Sequence, residues 1–455
     1  MKRTYKHFIF LFVLILISGL GCKGLSKEQQ SAVKPVTLTY WTIFDDVDQL
    51  KKLAGEYKKL RPYVTVNIRQ VRYDEFDRLF TNALADDVQP DIVSMHVRWL
   101  RQYQNRLSTM PVSVKMARLI QKGNISKDII VETDVNQMPT VKYVKDKYIP
   151  TVAKDAIIGD QIYGLPLSFD TLAVYYNKDL LDKAGIPEPP KTWDEFIEAV
   201  KKTRKFDKDG KILQAGVALG TGENIENVFD IFSLLLMQNG VTMASGKSVT
   251  FANGLDKTKE DHPTLKVLNF YSAFARPTSE VYTWNEKMGT ALDVFTRGQS
   301  AFYFGFAYDY DRIKARAPEM NLEILPAPQL NEPVNVANYW IQSVVKKSKH
   351  QNEAWDFIRF ITTPDTVKFY SEATNLPSPL REHIKVQQEN PRLTHFISQA
   401  LIAKNWYTGW NIDAAMKAFA DLATGYLRPY GENEKPLERD INLIFTTAQV
   451  VGQTM

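Results

Sequence analysis

Aromatic side chains recur beside polar ones at several turn-like stretches of the chain. These are Trp41 and Phe44 with Asp45 and Asp46, Trp99 and Tyr103 with Arg98, Phe302 to Tyr310 with Asp309, Tyr339-Trp340, and Trp406-Tyr407-Thr408-Gly409-Trp410. Flat aromatic faces suit the C–H faces of sugar rings, and nearby carboxylates, amides and guanidinium groups satisfy hydroxyls that would otherwise lose water without replacement. Any one such ring is more often core than contact. Trp193, Trp355, Phe357 and Phe360, at helical spacing, belong to the core. Clustering with polar neighbours is what points to recognition.

Reactive motifs are scarcer. Gly240 and Gly246-Lys247-Ser248 suggest a phosphate loop, but five residues separate the glycines where four are needed, and Val249-Thr250-Phe251 reads as strand rather than the helix that would hold phosphate. Asp207-Lys208-Asp209-Gly210 resembles part of a calcium loop, yet Lys205 and Gly216 occupy ligand positions, so a hairpin turn is expected. The six histidines form no His-Glu-x-x-His pair and no Gly-x-Ser-x-Gly elbow occurs, which leaves zinc protease and serine hydrolase chemistry unsupported. Two carboxylates could still hydrolyse a glycosidic bond, and 52 acidic residues neither argue for such a pair nor exclude it. No catalytic residue, metal or cofactor is expected.

The elements that must position these residues read as alternating strands and helices. Val36–Trp41, Val64–Ile68 and Asp91–Met95 have strand character, while Asp48–Leu60 and Tyr73–Ala85 carry apolar faces at helical spacing. That rhythm implies an α/β sheet with parallel strands, whose ligands sit beyond the carboxyl ends of the strands. Further on, Tyr163–Leu167 and Ala173–Asn177 read as extended. Thr192 and Glu195 form a capping box, Thr363-Pro364 starts another helix, and the chain is mostly helical from Asn352.

At 455 residues the chain is too long for one core of ordinary size, and with 44% apolar and 24% charged residues it is globular. Residues 1–21 have the anatomy of a secretory signal: Lys2, Arg3 and Lys6 precede the apolar run Phe8–Ile17 and the small residues Ser18-Gly19-Leu20-Gly21. Its removal leaves 54 basic against 52 acidic residues, a balance that offers nucleic acid no electrostatic footprint. Cys22 is the sole cysteine, and Leu20-Gly21-Cys22 looks like a bacterial lipobox, in which the cysteine is lipidated; ordinary secretion with an unpaired thiol is the alternative. Residues 22–35 are expected to be a flexible tether.

Several segments together resemble the family 1 extracellular solute-binding proteins of ABC importers, in particular the sugar-binding members. They are the lipobox-like Leu20-Gly21-Cys22, Tyr40-Trp41, Gln89-Pro90-Asp91-Ile92-Val93, Tyr163-Gly164-Leu165-Pro166, and above all Tyr175-Tyr176-Asn177-Lys178 running to Lys191-Thr192-Trp193-Asp194-Glu195. Phe295-Thr296-Arg297-Gly298, Leu325-Pro326-Ala327-Pro328 and Asn352-Glu353-Ala354-Trp355 continue the likeness in order.

The resemblance implies a two-lobe α/β fold of the type II periplasmic-binding-protein kind, each lobe a mostly parallel sheet flanked by helices. Three crossings are placed near Leu165–Ser168, Phe302–Gly305 and Val336–Trp340. One lobe is then 36–165 plus 305–336, the other 166–304 plus 337–455. Contacts carried over by position are Trp41, Phe44, Asp45 and Asp46 after the first strand, then Met95, His96 and Arg98, then Asp170. Phe306, Tyr308, Trp340, Trp406 and Trp410 are expected on the opposite wall. Met95 stands where sugar-binding relatives have tryptophan. The implied role is a monomeric, lipid-anchored extracytoplasmic receptor that captures a carbohydrate, an oligosaccharide, by hinge closure and delivers it to ABC permease subunits. A surface polysaccharide-degrading enzyme, or the same fold holding a peptide, polyamine or other small solute, are the competing readings.

Overall fold

The computed structural model describes residues 26–122, 128–330 and 332–455; the leader and the Cys22 lipidation site expected from the sequence lie outside the described residues. Two five-stranded sheets organise the chain.

In the first, the strands follow the order Val64–Gln70, Val36–Thr42, Ile92–His96, Trp340–Val344, Leu165–Pro166. The three N-terminal strands are parallel, as the alternating strands and helices require. Helix Val47–Leu60 buries Leu50, Leu53 and Tyr57, and helix Tyr73–Ala85 buries Phe76, Phe80 and Ala83, each set on one helical face. Trp340–Val344 then inserts antiparallel beside Ile92–His96, with Ile341 opposite Met95. Gly164 lets the chain reach this strand: a Cβ there would lie 2.5 Å from Ser343 Oγ and 2.7 Å from the Gln342 carbonyl.

The second sheet runs Lys205–Phe206, Ile212–Val217, Ser300–Gly305, Ala173–Asn177, Leu322–Pro326. Only Ile212–Val217 and Ser300–Gly305 pair in parallel, so the mostly parallel sheet expected for this lobe is corrected to a mostly antiparallel one. The capping box of Thr192 and Glu195 starts helix Trp193–Thr203 as expected, whereas the Thr363 hydroxyl meets Thr366 and Phe360 rather than its own helix's amides.

Strand pairing also corrects the expected lobe boundaries. Leu322–Pro326 hydrogen-bonds to Ala173–Asn177, which puts this part of 305–336 in the second lobe, and Trp340–Val344 lies inside the first sheet. Phe302–Gly305 is interior strand and no crossing. The helices Gln351–Ile361 and Pro364–Thr374 follow Trp340–Val344 onto the first lobe, and Ile149 N–H donates to the Pro379 carbonyl there. The chain returns to the second lobe between Gln387 and Thr394, where helix Thr394–Ile397 packs on Leu322–Pro326. Between the lobes, Asp170–Thr171, Asn335–Asn338 and Ala403–Lys404 form a small three-stranded sheet at the crossings.

Two features had no counterpart in the sequence reading. Within the expected tether, Lys27–Ala32 is helical, started by a reciprocal cap of Ser26 and Gln29. Ser113–Lys122 and Asp128–Gln137 form a long antiparallel hairpin on the first lobe. Its base is fixed by Arg61, which bonds Asp134 at 3.0 Å and Asp356 at 3.2 Å, and by Asn136, which donates to Asp356 at 2.8 Å.

Candidate functional site

The turn after the first strand is built from its own side chains. The Thr42 hydroxyl donates to Asp45 Oδ2 at 2.9 Å and accepts from the Asp45 N–H, while Asp46 caps helix Val47–Leu60 by accepting from the Gln49 N–H at 2.9 Å. These bonds turn Phe44 outward, leaving it 53% exposed. Its ring lies 5.0 Å from Trp340 at the start of the Trp340–Val344 strand and 6.0 Å from Tyr308, which belongs to the second lobe. Tyr308 in turn stacks on Phe306 at 5.7 Å.

Below these rings, with the lobes joined, lies a small cavity of about 50 Å³. Of the residues expected at the site, Phe44, Asp45, Asp170, Tyr308 and Trp340 line it. Asp170 is buried in the small central sheet, where its carboxylate accepts from the Thr171 N–H at 2.8 Å and from the Ala307 N–H of the second lobe at 2.7 Å. Burial raises the pKa of Asp45, and that of Asp170 well above the ordinary range, although hydrogen bonds to each oppose the shift. Next to Asp170, burial pushes Asp309 up to about 6 against the opposing charge of Arg312, whose Nη1 is 2.7 Å away.

Ser168, Asn338, Tyr339 and Tyr370 complete much of the lining and were not among the expected contacts. Tyr339 belongs to an aromatic pair the sequence displays, but Tyr370 sits at helical spacing from Val367 and reads as core. Its hydroxyl accepts from the Asp46 N–H at 3.0 Å.

The other expected residues lie elsewhere. Trp41 is buried within the first lobe under the Arg69 guanidinium, 5.0 Å from the ring, and Met95 is buried in the same sheet. Phe306 is buried behind Tyr308, and Asp46 serves as a helix cap. His96 accepts from the Arg98 N–H through Nδ1 and meets Asn338 Oδ1 through Nε2 at 3.0 Å, an arrangement that requires the Nε2–H tautomer. Burial, with the nearby Arg98 charge, takes its pKa down to about 3. Trp406 stacks on Phe229 and donates to Ser233 Oγ, both in the second lobe; Trp410 is exposed and does not line the cavity.

Arg98 joins the lobes instead of lining the cavity. It leaves the first lobe, forms a buried 2.5 Å ion pair with Asp230 on the second-lobe helix Val228–Gln238, and donates to the Ala337 carbonyl at 3.1 Å and to Asn405 Oδ1 at 3.3 Å. A second bridge runs from the Tyr73 hydroxyl to Asp413 at 3.0 Å. Among the described residues no cluster of three or more His, Cys, Asp and Glu could hold a metal ion, and no helix is long and apolar enough to cross a membrane.

A cavity walled by two lobes whose contacts depend on both suits capture of a solute by closure. The comparisons with known proteins agree in fold and family. The chain is 24% identical over 458 residues to the multiple sugar-binding protein of Streptococcus mutans, covering 97% of this chain and 98% of that one. It is 23% identical over 399 residues to the melibiose/raffinose/stachyose-binding protein of Bacillus subtilis, covering 84% and 82%. The cyclic alpha-maltosyl-1,6-maltose binding protein from Arthrobacter globiformis superposes with a TM-score of 0.69 at 18% identity, over 92% of this chain and 100% of that one. The family model for bacterial extracellular solute-binding proteins matches residues 44–368, and the chain belongs to that family.

Proposed function

We propose that the protein captures a carbohydrate, an oligosaccharide, between its lobes and presents it to the permease subunits of an ABC importer without chemical change. The observation that carries this reading is the inter-lobe cavity, in which the rings of Phe44, Tyr308 and Trp340 surround buried Asp45, Asp170 and the amide of Asn338. Rings offer apolar faces to a sugar, and the polar groups accept from or donate to its hydroxyls. The sugar-binding relatives from Streptococcus mutans and Bacillus subtilis support the same class of ligand.

Closure follows from where the contacts lie: a ligand touching both walls favours the joined form by the free energy of the contacts that exist only there. The receptor works as a monomer, held at the outer membrane face by lipid on Cys22. Isothermal titration against di- to tetrasaccharides tests the binding, and assaying the same mixtures for new reducing ends tests the absence of hydrolysis. Saturable binding without new ends is expected. Hydrolysis, or failure of every saccharide to bind while a peptide does, overturns the reading.

A further inference from the structure

The charges around the cavity are one-sided. Its eleven lining residues include two carboxylates, Asp45 and Asp170, and no Lys, Arg or His; five of the eleven, Phe44, Tyr308, Tyr339, Trp340 and Tyr370, are aromatic. Among the described residues neither carboxylate is in an ion pair. Arg98, the guanidinium that approaches from the first lobe, is committed to Asp230, and Arg312 is committed to Asp309. The carboxylates are instead held by neutral donors: Thr42 and, at 3.4 Å, the Gln342 amide for Asp45, and backbone N–H groups for Asp170.

Neutral donors satisfy oxygens without supplying a counter-charge, so neither carboxyl has a cation beside it to favour its ionised form. Hydroxyls of a neutral sugar add donors of the same kind. A protonated amine adds the missing charge, and aromatic faces stabilise a cation on their own account through the ring quadrupole. We propose that the captured solute carries a protonated amine, as an amine-bearing saccharide does, with its ammonium held between Asp45, Asp170 and the surrounding rings. This inference rests on the carbohydrate reading for the saccharide and on the cavity alone for the amine.

The test is isothermal titration of the mature protein at pH 7 with four probes: glucosamine oligosaccharides of two to four units, their N-acetylated counterparts, maltotriose, and spermidine. The amine-bearing saccharides are expected to bind about tenfold to hundredfold tighter than the N-acetylated ones, in line with the strength of desolvated cation–π and charge-pair contacts. Asp45→Asn and Asp170→Asn are each expected to erase that preference, and one folded variant of the two suffices. Equal or tighter binding of the N-acetylated or neutral saccharides overturns the amine while leaving the carbohydrate reading intact. Binding of spermidine alone supports the amine and overturns the carbohydrate. Binding of no amine-bearing probe overturns the inference.

Discussion

Asp230→Ala removes the ion-pair partner of Arg98 at the place where the two lobes meet. Both side chains are almost fully buried, at 5% and 7% exposure. Breaking a buried pair by deleting one partner costs about 3–5 kcal/mol, because the other charge stays desolvated. Arg98 keeps two neutral acceptors, the Ala337 carbonyl and Asn405, which places the expected cost at the lower end, about 3 kcal/mol. When the lobes part, water reaches the guanidinium and the cost disappears, so it falls on the joined form alone. At about 1.4 kcal/mol per tenfold, the joined form loses roughly a hundredfold in population, and a ligand that needs it binds about a hundredfold more weakly. X-ray scattering should show a larger radius of gyration for the variant, and titration should show the weaker binding. A double variant, Arg98→Met with Asp230→Leu, puts an apolar pair in the same space and should recover most of both, since such replacements are often neutral. Wild-type scattering and affinity for Asp230→Ala would refute the reasoning, as would a double variant as impaired as the single one.

Phe44→Ala should weaken ligand binding about tenfold while barely moving the melting temperature, because the ring is half exposed and packs across the lobes. Asp356→Ala should cost about 3–5 kcal/mol in denaturant unfolding, since the buried carboxylate serves Tyr57, Arg61, Asn136 and Arg359 together; Tyr57→Phe, losing one hydrogen bond, should cost about 1 kcal/mol. Asp155 accepts from the Tyr339 hydroxyl at 2.9 Å, and burial raises it to about 7. The folded chain therefore holds a proton that the unfolded chain has released, and stability falls as pH rises from about 4 through 7. Asp155→Asn should remove that decline, making the variant more stable than the parent in melts at pH 8 but not at pH 4.

Local periodicity carried much of the fold. The parallel strands and the helices Val47–Leu60 and Tyr73–Ala85 are legible because each buries a face through residues a turn apart, and the Thr192–Glu195 cap because its two bonds span three residues. What was not legible is pairing over distance. Nothing local tells Leu322–Pro326 to join the second sheet and Trp340–Val344 the first, since both are short apolar strands suited to either. The site divides in the same way. Phe44 is presented by a turn whose Thr42 and Asp45 are three residues apart, whereas Trp41, its near neighbour, still belongs to the strand and is buried in the core. Arg98 looked like a ligand contact for its charge and position beyond a strand. Its partner Asp230, 132 residues away, could not be foreseen.

The late strand Trp340–Val344 in the middle of the first sheet has a consequence for biogenesis. The Tyr40 hydroxyl donates to Gln342 across 302 residues of chain, so a nascent polypeptide emerging from a ribosome cannot complete its N-terminal half until nearly three quarters of the message has been read. Until then Ile92–His96 presents an unpaired edge, open to chaperones or to a secretion channel that accepts only extended polypeptide. Threading the strand order in this way delays native assembly and widens the interval in which export can proceed.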